Sequence, residues 1–332
     1  MIRLWRSVPA VVLGGLLLLA CSDTGGDAVD AAPDDGEVSP DGQVVSLLRV
    51  GSPYTLELAT WNIRNFPADG AAADRVAMLL AAMELDFVAV QEVGDVDAWQ
   101  TMVDGLNALS PYPYDTLLSP DEYFPDNYQK TGFLWRTDMI ELVDATSLFV
   151  QDDYAFPRPP LQGQFEVLHP GGWALGFVAI VVHLKASQDL DSQQRRVAAV
   201  RRLTEHVDTL AGFDGTPDPA ETEVVLLGDF NDDLDDPLEE NVFGPLLNAP
   251  DHYQPLTRPL VDQGAYSILP WHGFIDHLFI TSDLLYEYAG GRTEVVGLDR
   301  TVELYGLELG YDYADAVSDH LPVVAILPWV DY

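Results

Sequence analysis

The sequence predicts an α/β (α+β) architecture, with strands and helices interleaved through one continuous domain over residues 54–332. Three observations predict it. Short apolar runs rich in Val, Ile, Leu and Phe alternate with longer stretches whose apolar residues recur at three- and four-residue spacing. Six of the short runs adjoin a carboxylate, an amide or an imidazole. No segment repeats itself, so a solenoid or blade architecture is excluded.

In chain order, TLELATWNI at Thr55–Ile63 alternates as a strand, and the alanine-rich Ala72–Met83 reads as a helix with Asp74 near its positive end. DFVAVQEV at Asp86–Val93 is a strand ending in acid, and Asp95–Leu109 a second helix. Residues 110–129 read as a long loop. Strands follow at Gly132–Arg136, Ile140–Val150, Gln164–Leu168 and Trp173–Leu184. Val197, Val200, Leu203, Val207 and Leu210 recur at helical spacing and predict a helix over Ser192–Leu210. After the strand at Val224 comes a loop-rich region to about Pro270. FIDHLFI (274–280) and Leu321–Leu327 are the last strands.

The stretch VVLLGDFND, residues 224–232, organises the chemistry. Four apolar residues between turn signals read as a buried strand, and Gly228 is expected to let the chain turn. That presents Asp229 and Asn231 two residues apart, hard oxygen donors of the kind that suit Mg²⁺, Mn²⁺ or Ca²⁺. An Asx-rich turn after a strand would look the same in isolation.

Composition narrows the partners. Lys and Arg number 16 against 54 Asp and Glu, a formal charge of −38. Such a surface attracts cations and repels extended polyanions except through a local patch or a bound metal. Cys21 is the one cysteine, so an intrachain disulfide and a Cys-rich metal site are both excluded. It closes an arginine-led apolar segment, Val8–Ala20, that reads as a secretory signal over residues 1–20. The ending Leu18-Leu19-Ala20-Cys21 resembles the bacterial lipobox, which implies lipidation of Cys21 and export to the cell envelope. Loss of residues 1–20 would remove two arginines and leave a charge of about −40. Residues 21–53, acidic and nearly free of aromatics, are expected to form a disordered tether. Membrane contact is expected through that anchor only, and the chain is expected to be a monomer.

The polar blocks are Asn62 and Arg64 in TWNIRNF, Glu92 in VQEV, His183 and Lys185 in VHLK, Asp229 and Asn231 in LLGDFND, Asp276 and His277 in FIDHLFI, and Asp319 and His320 in SDHLPV. Taken in this order, they resemble the endonuclease/exonuclease/phosphatase superfamily, also called DNase I-like, over residues 55 to 328. The resemblance implies a four-layered α/β sandwich, two packed mixed sheets between outer helices, with one active site at a rim. It implies that Asn62, Glu92 and Asp319 hold a metal or line its shell, with Mg²⁺ the expected cofactor. It implies that Asp229 and Asn231 position the phosphate, the metal or the attacking water. Asp276 and His320 look like a carboxylate–imidazole dyad, and His183 like the phosphate-binding or leaving-group histidine.

These residue types match phosphodiester hydrolysis, in which charge gathers on phosphate oxygens and a carboxylate-oriented imidazole can take a proton or stabilise that charge. One departure stands out. Where some relatives place a glutamate that pairs with the histidine here numbered His183, NYQKTGFLW offers Tyr128 and Lys130. Lys130 and Lys185 are the only lysines, and with Arg64 they are candidates for phosphate contact. Arg195, Arg196, Arg201 and Arg202 read as a solvated helix face, with Arg196 alone projecting toward the apolar side. His169, His206, His252, His272 and His277 read as structural. Three functions remain: an extracellular nuclease on DNA or RNA, a phosphatase or phosphodiesterase on a lipid or small molecule (sphingomyelinase-like), and a silent binding module. The intact blocks argue against the third.

Overall fold

A computed structural model describes residues 47–120, 129–168, 174–215, 222–237 and 241–328, all within one compact unit. Cys21, the signal segment, most of the tether, Tyr128 and His169 lie outside the described residues. Among the described residues, no helix is long and apolar enough to cross a membrane.

Two six-stranded sheets pack face to face. The first contains β1 (Thr55–Phe66), β2 (Phe87–Val93), β3 (Tyr114–Leu118), β4 (Lys130–Arg136), β11 (Arg292–Val295) and β12 (Val323–Pro328), in the order β11-β12-β1-β2-β4-β3. The second contains β5 (Ile140–Ser147), β6 (Leu161–Leu168), β7 (Ala174–His183), β8 (Glu223–Asp229), β9 (Tyr253–Pro255) and β10 (Asp276–Thr281), in the order β5-β6-β7-β8-β10-β9. Helices α1 (Ala72–Met83) and α2 (Val96–Leu109) serve the first sheet, and α3 (Leu190–Leu210) the second.

The topology gathers the polar blocks. β1 and β2 run parallel, joined through α1, and so do β7 and β8, joined through α3. Parallel neighbours end at the same rim. Thus Asn62, Glu92, His183 and Asp229 arrive together, although 30 to 167 residues separate them in sequence. β10 is antiparallel to β8, with Asp276 opposite Asp229, so its first residue meets the last of β8. β12 is antiparallel to β1, which brings the preceding Asp319 and His320 to that rim.

Aromatic packing fixes the distance between the sheets. Phe87 lies 4.9 Å from Phe165 and 5.4 Å from Phe133, ring centre to ring centre, and Phe165 stacks on Phe177 at 5.5 Å. All four are fully or almost fully buried. Each burial contributes about 1.5–3 kcal/mol before the entropic cost of ordering. Val200, Leu203 and Val207 of α3 join the same buried cluster, with Val197 and Leu210 packed against it, as their spacing predicted. Ala77, Leu80, Trp99, Met102 and Leu106 tie α1 and α2 to Trp61 and Val90 in a second cluster.

Several expectations are corrected. β3 lies inside the stretch read as loop, and β9 and β11 were not expected. Gly228 does not begin a turn: β8 continues through Asp229. Its φ is 143°, and a Cβ there would lie 2.1 Å from the Val182 carbonyl oxygen, so the glycine admits the backbone of β7.

At the opposite end of β1, Glu57 is fully buried beside Asp86, which in turn takes a 2.8 Å bond from Arg136. Burial pushes the Glu57 carboxyl up to about 9, and the Asp86 charge adds to it. The folded chain therefore keeps a proton that an unfolded chain releases above the ordinary 4.5. Stability should fall as pH rises from about 4.5 to about 9, by at most about 1.4 kcal/mol per pH unit. Glu57→Gln is expected to flatten the dependence of melting temperature on pH, with the two proteins converging near pH 4.5. Parallel curves would contradict a neutral Glu57.

Candidate active site

Glu92 is the penultimate residue of β2, where the ladder slips, at φ 65°. Three donors hold its carboxylate: Asn62 Nδ2 at 3.2 Å on Oε1, and the Asn65 backbone N–H and Gln129 Nε2, each at 2.9 Å, on Oε2. The same Asn62 nitrogen donates to Asp229 Oδ2 at 2.9 Å, while Asn62 Oδ1 accepts from the Arg64 N–H. One amide thus bridges two carboxylates, and its nitrogen, not its oxygen, faces them.

His183 closes the third side. Its Nε2 lies 3.5 Å from Asp229 Oδ2 and 3.6 Å from Glu92 Oε1, and Nδ1 is buried without a hydrogen-bond partner. Burial, then the nearby charges of Arg158 and His320, lowers its pKa well below 6.5. A leaving-group role is therefore limited to an N–H hydrogen bond from a neutral ring, not a full positive charge.

Beyond Asp229 stands the dyad. His320 Nδ1 is 2.8 Å from Asp276 Oδ2, with both residues buried. Burial works against the imidazolium, but the Asp276, Asp229 and Asp319 carboxylates outweigh it and push His320 up to about 10. Asp229, fully desolvated, is pushed up to about 7; the His320 charge restrains that rise, and the Asp276 charge adds to it. Ser267 Oγ accepts from the N–H groups of Ile275 and Asp276, and Ser318 Oγ bonds the Asn62 carbonyl and the His320 N–H. Tyr313 donates to the His320 carbonyl at 2.6 Å. These bonds fix the two loops that carry the dyad.

The remaining candidates lie around this centre. Asn231, at φ 54°, donates its N–H to Asp229 Oδ1 at 2.8 Å and its side-chain nitrogen to the Leu184 carbonyl. Asp319 faces Arg64 at 3.5 Å and falls outside the two acid–imidazole groups that, among the described residues, are compact enough for a cation. Lys185 turns its ammonium onto the Ala186 carbonyl at 2.7 Å. Lys130, another phosphate candidate, is buried, and its ammonium donates to the Ser119 carbonyl. Arg196 reaches inward as expected and pairs with buried Asp232 at 2.6 Å. His277 bonds Thr257 and the Asp232 carbonyl, a scaffolding part. Gln129, Arg158 and Asn65 were missed. Asn65 lies in TWNIRNF but was passed over for Asn62; Gln129 and Arg158 are neither acids nor imidazoles, and only their contacts with Glu92 and one another expose them.

Glu92, His183 and Asp229 each offer a ligand atom within 4.8 Å of the others, and so do Asp229, Asp276 and His320. Carboxylate oxygens dominate, as a hard divalent ion requires. Asp276 Oδ1 is buried without a partner, and the Asp229 charge is poorly compensated, so the donor set fits a cation.

Two facing mixed sheets with outer helices and a carboxylate–histidine rim define the class, a DNase I-like α/β sandwich. A model of the Endonuclease/Exonuclease/phosphatase family matches residues 59–320, and the chain belongs to that family. Solved structures agree on the fold. The human Nocturnin catalytic domain with bound sulfate superposes with a TM-score of 0.57 at 16% identity, covering 84% of this chain and 96% of that one. D. rerio TDP2 complexed with single-strand DNA product gives 0.55 at 17%, covering 83% and 99%. A Bacteroides vulgatus endonuclease/exonuclease/phosphatase gives 0.56 at 17%, covering 83% and 99%. No curated protein matches the sequence.

Proposed function

We propose that this chain is a divalent-metal-dependent phosphodiester hydrolase acting as an extracellular nuclease. The observation that carries the reading is the convergence of Glu92, Asp229 and His183 on one point, with the Asp276–His320 dyad on the far side of Asp229. When bound, Mg²⁺ or Mn²⁺ supplies positive charge to the phosphate oxygens. Glu92 is the ligand held most firmly for it. Asp229, close to half-ionised at neutral pH, accepts the proton of the attacking water as its oxygen bonds to phosphorus. Protonated His320, oriented by Asp276, directs its Nε2 proton at the charge gathering on phosphate oxygens while the bond to the leaving oxygen breaks, and the departing alkoxide takes its proton from solvent water. His183 completes the group with Glu92 and Asp229 as a neutral ring whose Nε2 stands beside Asp229, and the Asn231 amide keeps Asp229 in register.

Nucleic acid is the substrate we favour, since the TDP2 neighbour holds single-strand DNA product and an exported chain meets free DNA and RNA. The acidic surface restricts the grip to a few phosphates. Cleavage of plasmid DNA or RNA is expected with Mg²⁺ or Mn²⁺ and not in EDTA, with log affinity against log salt sloping only about −2 to −3. Turnover of sphingomyelin, a phosphoinositide or bis-p-nitrophenyl phosphate without any nucleic-acid cleavage would move the assignment to a lipid or small-molecule phosphodiesterase. Cys21 is proposed as a lipid anchor holding the catalytic domain outside the cytoplasm. Cys21→Ser should release the protein from membranes, and equal partitioning of both forms would exclude the anchor.

A further inference from the structure

Gln129, just before β4 in the NYQKTGFLW stretch, and Arg158, in the loop between β5 and β6 and outside every recognised block, meet behind Glu92. Gln129 is 7% exposed. Its amide nitrogen donates to Glu92 Oε2 at 2.9 Å and to Asn65 Oδ1 at 2.6 Å. Its amide oxygen accepts from Arg158 Nε at 3.1 Å and from the Arg158 terminal nitrogen Nη2 at 2.6 Å. The other terminal nitrogen of Arg158 donates to the Leu184 carbonyl at 3.3 Å, the same oxygen that Asn231 uses at 3.1 Å. Arg158 therefore spans the site from the amide that clamps Glu92 to the carbonyl that seats Asn231.

We propose that Gln129 and Arg158 form an outer relay that orients Glu92, making Arg158 a positioning residue that sets how tightly the site holds a divalent cation; this rests on the metal-dependent reading above. The guanidinium fork on the amide oxygen has two consequences. It fixes which way the amide faces, so that nitrogen and not oxygen meets Glu92. It also polarises the amide, strengthening the N–H that holds the carboxylate in place. Neutral Gln129 does this without adding charge at the ligand. A glutamate there would set two carboxylates against each other at hydrogen-bond distance. Partners of metal ligands at this remove typically account for about 10–100-fold in metal affinity.

The test is a Mn²⁺ titration of the full-length protein followed by electron paramagnetic resonance, which reads binding without substrate. Arg158→Met and Gln129→Ala should each weaken Mn²⁺ binding about 10–100-fold. The double variant should be no weaker than Gln129→Ala alone, because the arginine acts through the amide. Arg158→Lys keeps the charge but loses the fork, so it should remain weakened. In turnover assays, Arg158→Met should need about 10–100-fold more Mn²⁺ for half-maximal rate. If Arg158→Met does not fold, Gln129→Ala carries the same expectation. Binding within about twofold of wild type for either variant overturns the relay. So do multiplying losses in the double variant, or full rescue by lysine. A wild-type protein that binds no Mn²⁺ overturns the metal-dependent reading itself, and the relay with it.

Discussion

His320→Ala is expected to lower kcat/KM about 100- to 10,000-fold, the range in which a positioned proton-carrying group acts. Asp276→Ala should cost nearly as much, because its carboxylate fixes the imidazole at 2.8 Å and helps keep it charged. The double variant should lose little more than the worse single one, since two residues working as one unit share a single contribution. Steady-state kinetics on one soluble diester at saturating Mg²⁺ measures all four proteins of the cycle. A double loss equal to the product of the single losses would mean that the two act separately, and the dyad would have to be abandoned. Asp276→Asn sharpens the result. It keeps the size and one hydrogen bond but removes the charge, so it should retain folding while losing most of the rate.

Glu92→Ala carries the second large effect. Its carboxylate is the acceptor for Asn62, Asn65 and Gln129 together, so truncation leaves three donors without their acceptor and removes the best-held oxygen ligand. Mn²⁺ affinity should fall by more than about 100-fold, beyond what loss of an outer partner causes. Glu92→Gln separates shape from charge: it should melt close to wild type in EDTA yet bind Mn²⁺ nearly as poorly as the alanine variant. Hydrolysis by Glu92→Ala that persists undiminished in excess EDTA would remove the basis for a metal-dependent reaction.

Much of this molecule was legible before its coordinates, and particular residues show why. Ala72–Met83 is read to the residue, and Asp95, expected as the first residue of the next helix, is its N-cap, accepting from the Ala98 N–H. Long periodic segments announce themselves because one face must be buried. Tyr114–Leu118 did not. Its YDTLL holds one buried residue, lies on a sheet edge, and follows two prolines in a stretch that reads as loop. Short edge strands such as β9 and β11 are made by their neighbours rather than by a pattern of their own.

The site divides in the same way. Glu92, Asp229, Asp276 and His320 end or precede apolar strands, so chemistry and local structure mark them together. Arg158 lies in FPRPP, where nothing local distinguishes it, and Gln129 is a neutral amide. Their roles exist only through contacts 26 or more residues away in sequence. Asn62 shows the middle case: its position was readable, but the direction its amide faces was not.

Four residues at the site, Arg64, Asn65, Glu92 and Asn231, hold left-handed backbone angles of 31°, 48°, 65° and 54° without being glycine. Each such residue costs on the order of 1 kcal/mol, less for asparagine. The cost has a meaning for how this enzyme can change. A glycine at Arg64 or Asn65 would relieve the backbone while keeping the main-chain N–H bonds to Asn62 and Glu92, so selection for heat resistance alone would favour erasing these two side chains from the cleft. Durability and catalytic competence are therefore opposed at these positions, and a lineage that keeps the side chains must recover its margin elsewhere, in the aromatic layer between the sheets.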